Sequence, residues 1–239
     1  MSENSESLYP INAVLGGKLA VFDFDDGRRG LIALKDIKSS EIVFREKLYL
    51  WFNGEEDDLE IGLSWGLTRN IANKSPDTLP FLQNVLKLRE TFRPKLTSSD
   101  QKVLAQISQE SRQPQSVVRT IYNLVCTYNI ILSVAIPNGS DLLIGERIAI
   151  AQILAFANHS CESNCALLAG NTVESFKSNI VGLRATQDIQ VGEEITWSYL
   201  STNSGSFEER QKILKKEYGF FCSCSRCHRE RSDSDIESV

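Results

Sequence analysis

The chain has 239 residues, 41% hydrophobic and 24% charged, with 26 Lys plus Arg against 31 Asp plus Glu and a formal net charge of −5. That length can bury a core as one domain or two small ones, and the negative balance offers no global basic field for nucleic acid. No apolar run approaches the roughly eighteen residues of a membrane span, and Met1–Ser7 is polar rather than signal-like, so a soluble, intracellular protein is predicted.

The six cysteines are few for a secreted disulfide scaffold, and three of them fall within six residues, which suits a metal in a reducing compartment better. After a frayed N-terminus, strands are predicted at Leu19–Phe24, Gly30–Leu34 and Glu41–Glu46, with a turn at Asp25-Asp26-Gly27. An internal echo follows. Gly30-Leu31-x-Ala33-x-x-Asp36-Ile37, with Glu41 further on, recurs as Gly182-Leu183-x-Ala185-x-x-Asp188-Ile189 with Glu193 in the same frame. Two copies are too few for a solenoid and read as two similar strand–turn–strand units in one small sheet system.

From Leu59 to about Ile130 the apolar period becomes helical: Leu63, Leu67 and Ile71; Leu82, Leu86 and Arg89; Val103, Leu104 and Ile107; Val117, Val118, Ile121, Leu124 and Val125. Thr97-Ser98-Ser99-Asp100 has the composition of a helix start, and Pro76, Pro80, Pro94 and Pro114 punctuate the pieces. Ile130–Ile136 and Leu142–Ile144 around Asn138-Gly139 read as a hairpin. Strands at Ile180–Ala185 and Glu194–Tyr199, a helix at Phe207–Tyr218 and a charged, disordered tail at Arg229–Val239 complete the chain.

Chemistry concentrates in two stretches. Asn158-His159-Ser160-Cys161-Glu162-Ser163-Asn164-Cys165 follows the apolar run Ile148–Ala157, and a polar cluster in such a setting must find partners for every group. Cys222-Ser223-Cys224-Ser225-Arg226-Cys227 supplies three thiols; a closed zinc tetrahedron needs four, and Cys161 is the evident fourth donor. A disulfide pair or an iron–sulfur cluster is the rival for these thiols. Cys126 and Cys165 read as small core residues, and His228 as surplus to a site already filled by four sulfurs.

Asn158-His159-Ser160-Cys161-x-x-Asn164, Gly192-Glu193-Glu194-Ile195-x-x-x-Tyr199 and Cys222-x-Cys224-x-x-Cys227 together resemble SET-domain protein lysine methyltransferases. The SMYD branch is the nearest, through Glu208-Glu209-Arg210-Gln211 and Tyr218-x-Phe220-x-Cys222. The likeness is dense from about Asn129 to Arg229, looser over Gly16–Glu46 and lost in the helical stretch. A MYND finger is missing where Glu46 runs into Lys47–Trp51, as is a long C-terminal helical domain. Where the family has Gly-x-Gly-Leu, this chain has Gly27-Arg28-Arg29-Gly30-Leu31; an arginine forced to positive φ would cost about 1 kcal/mol or more.

The resemblance implies an α+β SET fold: small sheets in a β-clip with a pseudoknot, a helical insert and a zinc-binding post-SET segment. The expected divisions are 1–15 flexible, 16–58 N-terminal SET strands, 59–130 insert, 131–204 C-terminal SET core, 205–228 zinc segment and 229–239 tail. It implies methyl transfer from S-adenosylmethionine to a lysine amine of a histone or other protein, in the nucleus, the cytoplasm or both, without direct nucleic-acid or membrane binding. Tyr199 would lie at the methyl-transfer centre. Arg29, Gly30, Asn129, Ala155, Asn158, His159, Tyr199 and Phe220 would bind cofactor, the last by stacking on adenine. Ile131, Trp197 and Tyr218 would line the lysine channel, and Cys161, Cys222, Cys224 and Cys227 would hold zinc. Each residue also has a plainer reading: Tyr199, Tyr218 and Phe220 as core aromatics, Asn158-His159 as a hydrogen-bonded turn, Asn129 as a loop-end amide. Two rival functions stay open, a catalytically silent SET module that binds a partner and a purely structural zinc protein.

Overall fold

The computed structural model describes residues 15–48, 51–54, 59–73, 95–138, 141–169, 180–200 and 205–236. The chain forms two compact units, one of residues 1–45, 156–168 and 182–239 and the other of 46–155 and 169–181.

The first unit carries the strands β1 (Leu19–Asp23), β2 (Arg29–Ala33), β3 (Ile42–Lys47), β7 (Asn158–His159), β8 (Cys165–Ala169), β9 (Ile180–Ala185) and β10 (Glu194–Trp197), in the order β1-β2-β10-β8-β9-β3 with β7 also on β10. Alternation explains the register. Leu19 and Val21 of β1 and Leu31 and Ala33 of β2 are buried, while Phe22 faces solvent. β1 and β2 pair antiparallel from Leu19↔Ala33 to Asp23↔Arg29, closed by the predicted turn.

The internal echo folds as two reciprocally bonded copies. Ile37 and Ile189 exchange backbone hydrogen bonds, both 2.8 Å. Ala33 N donates to Glu193 O and Ala185 N to Glu41 O, both at 2.9 Å. The carboxylates repeat the pattern: Asp188 accepts from Ser39 N at 2.9 Å and Asp36 from Val191 N at 3.0 Å. Even the backbone strain is matched, since Ser40 (φ 68°) stands where the second copy has Gly192 (φ 88°).

The second unit holds α1 (Leu59–Ala72), α2 (Ser98–Ser111), α3 (Gln115–Tyr128) and a sheet in which β6 (Asp141–Ile150) lies between β4 (Trp51–Gly54) and β5 (Asn129–Asn138). Thr97 caps α2 in a full capping box: its hydroxyl accepts from Asp100 N at 3.1 Å, and the Asp100 carboxylate accepts from Thr97 N at 2.8 Å. Leu104, Ile107, Val118 and Tyr122 form a core on which Ile61, Trp65, Val103 and Cys126 pack. Burial pushes the Cys126 thiol up to about 12, and likewise that of Cys165; Cys165 is a buried core residue and Cys126 packs half-buried against the helical core. The predicted helical face at Leu82, Leu86 and Arg89 lies outside the described residues.

Three expectations are corrected. The second strand of the hairpin does not stop at Ile144 but runs to Ile150, because Ile148, Ala149 and Ile150 are its buried end. Asn138 pairs with Asp141, so it closes β5 rather than entering the turn; residues 139–140 lie outside the described set. And the stretch from Arg229, expected as a disordered tail, is helical as far as it is described: α4 spans Ser225–Ile236, and residues 237–239 lie outside the described set. Side-chain ion pairs link the first turns of α4 to the rest of the unit and to one another. Glu230 bridges Arg226 at 2.7 Å and the buried Arg210, while Arg229 reaches Glu162 at 2.9 Å.

Glu46, one residue before the end of β3, is where the chain passes into the second unit, and it binds the Gln152–Leu154 backbone there. Its carboxylate accepts from the backbone amides of Gln152 (2.6 Å), Ile153 (3.0 Å) and Leu154 (2.7 Å). Burial nonetheless outweighs these three donors and pushes the carboxyl up to about 7. The native state therefore keeps a proton over an interval where the unfolded chain has lost it. The stability this provides is complete below about pH 4.5 and vanishes as pH rises through about 7. Glu46→Ala is expected to lose about 2–3 kcal/mol near pH 6, by stranding the three amides. Thermal melts at pH 5–8 should show a downward slope for the wild type that the variant lacks; parallel curves would refute the assignment.

Candidate active site and metal centre

The Asn158–Cys165 loop owes its shape to strand β10. Its first arm, β7, lies parallel to β10 (Thr196↔Asn158, Trp197↔His159), and its second arm, β8, meets the same strand at Trp197↔Cys165. Asn164 stitches the crossing. Its Nδ2 donates to Glu194 O at 2.8 Å and its Oδ1 accepts from Thr196 N at 2.9 Å, which satisfies strand groups that a crossing would otherwise orphan. The apolar Ile195 is fully buried beneath it.

Tyr199 leaves β10 into a nest of rings. Its centroid lies 5.1 Å from Trp197, 5.1 Å from Tyr218, 5.3 Å from His159 and 6.5 Å from Phe220. The Tyr199 hydroxyl donates to Ala157 O at 2.9 Å, and its backbone amide donates to His159 Nδ1 at 3.0 Å. Burial, helped by the Arg210 cation, holds the His159 imidazole down at about 4, so it is neutral near pH 7. Among the described residues, the buried Trp197 Nε1 finds no acceptor.

Beside this cage, Asn158 gives both amide hydrogens to the protein, one to Arg29 O at 2.8 Å and one to Glu194 Oε1 at 2.7 Å. Gly30 makes the approach feasible: a Cβ there would fall 2.7 Å from Glu194 Oε1 and 2.8 Å from Asn158 Nδ2. Arg29 lies over the Phe156 ring at 4.9 Å. The feared strain at Arg28 is absent, because the positive φ falls on Gly27 (79°). Arg28 instead pairs with Asp26 at 2.7 Å and Glu194 at 3.4 Å.

The four expected sulfurs converge. Sγ atoms of Cys161, Cys222, Cys224 and Cys227 all lie within 4.8 Å of one another. A tetrahedron with bonds of about 2.3 Å needs edges near 3.8 Å, so the group can hold zinc. No disulfide competes, since all four thiols are free and Cys161 and Cys227 stand 3.6 Å apart. The surroundings fit an anionic thiolate cluster. Gln211 Nε2 points at Cys227 Sγ from 3.3 Å. Among the described residues, the Nε of Arg210, a side chain only 1% exposed, finds no acceptor. Burial opposes its charge, yet the Glu230 carboxylate and the Cys161 and Cys227 sulfurs keep it protonated. His228 is exposed and stands outside the group.

The helix that delivers these cysteines begins as expected at Phe207, with Ser206 and Glu209 forming a capping box, but its last turn, Leu214–Tyr218, winds as a π-helix and ends on Gly219 in the left-handed conformation. Tyr218 and Phe220 thereby leave the helix next to Tyr199. The expected residues Arg29, Gly30, Asn158, His159, Trp197, Tyr199, Tyr218, Phe220 and the four cysteines all lie in the first unit. Ala155 sits in a 3-10 turn, Leu154–Phe156, and Asn129 and Ile131 in β5, in the second; the side chains of Asn129 and Ile131 lie outside the described residues. Sequence reasoning missed Glu194 as partner of Asn158, and Arg210 and Gln211 beside the sulfurs. Only the Glu208-Glu209-Arg210-Gln211 run hinted at the last two.

Residues 28–200 match the SET domain family model. The chain is similar to the human histone-lysine N-methyltransferase SMYD3 (40% identical over 83 residues, 35% of this chain and 18% of that protein). It is also similar to Arabidopsis thaliana histone-lysine N-methyltransferase ASHR1 (37% over 92 residues; 38% and 18%) and to Gallus gallus protein-lysine N-trimethyltransferase SMYD5 (39% over 85 residues; 34% and 19%). The matched segments span about a fifth of these relatives. Among solved structures, the SET domain of LSMT bound to lysine and AdoHcy aligns with TM-score 0.48 at 14% identity, covering 86% of this chain and 53% of that one. The family model takes in well over half of the sequence, from Arg28 through the Tyr199 strand, and the chain belongs to the SET-domain family.

Proposed function

We propose that this chain is a protein-lysine N-methyltransferase that uses S-adenosylmethionine and a structural zinc ion. The observation carrying it is the aromatic nest of Trp197, Tyr199, Tyr218 and Phe220 beside the Asn158–His159 arm in a member of the SET family. The relatives' names, histone-lysine and protein-lysine N-methyltransferases, support the same reading.

The cofactor supplies the methyl group on a sulfonium, which leaves as a thioether. The protein's share is alignment and dehydration. A free lysine amine with pKa near 10.4 is neutral about once in a thousand near pH 7.4, a deficit of roughly 4 kcal/mol. An apolar channel and a neighbouring cation both lower that pKa. Tyr199, fixed at its hydroxyl by Ala157 O and at its amide by His159, is the residue we assign to orienting the amine lone pair along the sulfur–carbon axis. Asn158 has spent both N–H groups internally, which leaves its Oδ1 as an acceptor for the cofactor's ammonium. Ring faces of Tyr218 and Trp197 would wall a lysine channel suited to a methylammonium product, and Phe220 would stack on the cofactor's adenine. The zinc's task is to pin residues 205–236 so that Tyr218 and Phe220 stay in place.

The substrate is a protein bearing a target lysine, and the chain's net charge of −5 favours a basic segment around it. Among the described residues no helix is long and apolar enough to cross a membrane; we assign the protein to nucleus or cytoplasm. The silent-module reading leaned on a strained Arg28, and Arg28 is unstrained. Titration calorimetry with S-adenosylmethionine, followed by a lysine-peptide array with radiolabelled cofactor, tests the proposal. Micromolar binding and label on specific lysines are expected; binding without transfer would leave the silent module, and neither would leave a structural zinc protein.

A further inference from the structure

We infer that His159 is a positioning residue that couples the metal centre to Tyr199, by donating an Nε2–H hydrogen bond to the Cys161 thiolate while its Nδ1 holds the Tyr199 backbone amide. This rests on the four-cysteine group being a zinc site.

The tautomer is dictated by the backbone. Tyr199 N carries a hydrogen and no lone pair for bonding, and it lies 3.0 Å from His159 Nδ1, so that nitrogen must accept. A neutral imidazole that accepts at Nδ1 carries its proton on Nε2. Nε2 lies 3.3 Å from Cys161 Sγ, within N–H···S range. The opposite tautomer would set two N–H groups against each other at one end and leave the ring nitrogen and the sulfur without a shared proton at the other.

The ring is also held on its faces and sides. Tyr199 and Phe220 approach to 5.3 and 6.0 Å between centroids. The imidazole thus links three things: the Cys161 corner of the tetrahedron, the Tyr199 main chain and an aromatic from the zinc segment. A thiolate fixed by zinc is a strong, immobile acceptor; a thiol is a weak one that can rotate away. Metal occupancy therefore fixes the ring, and the ring fixes the backbone that carries the Tyr199 hydroxyl. Linkage requires the reverse as well: loss of the ring must loosen the metal. His159 then does more in this chain than contribute backbone groups to the cofactor pocket.

The test is nuclear magnetic resonance of the full chain, ¹⁵N-labelled and loaded with ¹¹³Cd in place of zinc. A through-bond correlation between ¹¹³Cd and the His159 Hε2 proton is expected, with the ring in the Nε2–H form. An Nδ1–H ring, or an Nε2–H ring with no such correlation, overturns the inference. His159→Asn keeps an acceptor near the Nδ1 position but lacks the distal donor. It should retain protection of the Tyr199 amide from hydrogen exchange yet lose zinc to a chromogenic chelator about tenfold faster. His159→Ala should lose both properties. Zinc release from His159→Asn at the wild-type rate would sink the coupling, and so would unchanged Tyr199 protection in a folded His159→Ala. None of these readouts involves turnover. Failure of the zinc-loaded wild type to bind S-adenosylmethionine would overturn the proposed function and leave the coupling standing.

Discussion

Tyr199→Phe is expected to lower the methyl-transfer rate about 10²- to 10³-fold with little change in cofactor affinity. The phenyl ring keeps every aromatic contact of the nest, so the fold and the channel walls survive. What goes is the one hydroxyl, anchored 2.9 Å from Ala157 O, that can orient a small amine at the reacting end. Misalignment of a near-attack geometry by about an ångström is worth a factor of this size. The loss should fall on kcat, because the hydroxyl acts where the amine meets the methyl group rather than where the substrate backbone docks. Stability should fall by no more than a single half-buried hydrogen bond allows, about 1 kcal/mol. Single-turnover kinetics with a labelled peptide, beside calorimetry for the cofactor, checks both halves. An unchanged rate would remove Tyr199 from the chemistry and return it to the core.

Removing the metal is expected to have the larger structural effect. One zinc per chain should be found by elemental analysis, and Cys224→Ser or a strong chelator should abolish detectable cofactor binding. The reason is local stability. Residues 205–236 bury little apolar surface: Leu214, Cys222 and Cys227 form the buried part of their cluster, with Tyr218 and Phe220 packed on its edge. Structural zinc sites contribute on the order of 10 kcal/mol of apparent binding free energy, far more than so small a cluster supplies. Burial pushes the Cys222 thiol up, and a divalent cation reverses that preference by coordinating the thiolate. Without it, the buried Arg210 guanidinium would face neutral thiols with Glu230 as its remaining counter-ion, an arrangement that favours opening. Loss of the ordered amide signals of residues 205–236 with cofactor binding intact would show that the segment is dispensable for the pocket.

Much of the site was legible because it is written in short, ordered motifs. The Asn158–Cys161 and Cys222–Cys227 stretches name their chemistry through residue type and spacing. Gly192-Glu193-Glu194 and Tyr199 mark a strand whose far end must be near them. The echo between Gly30–Glu41 and Gly182–Glu193 announced matched strand–turn units, and the structure adds the reciprocal hydrogen bonds that follow from equal spacing. Less legible were features whose cause is remote in the chain. The stretch after Arg229 looks disordered by composition, since charge is read there as repulsion. Through Ile236 it is helical, and Glu162 and Arg210 meet the charges of Arg229 and Glu230 in space. Arg28 looked strained from its place in a glycine motif, yet the turn simply puts its positive φ one residue earlier, on Gly27.

From residue identity alone came the four sulfur donors, the strand and helix periods and the family motifs, all of them properties of local spacing. Only the tertiary structure decided which groups share a proton or a charge. Asn158 with Glu194, Arg210 with the cysteine sulfurs, and His159 between Cys161 and Tyr199 are such pairs. Hydrogen bonds form over about 3 Å, and a chain brings residues that close only by folding back on itself. The pairing of a buried polar atom is therefore a fact of packing, whereas the need for that pairing can be read from the sequence.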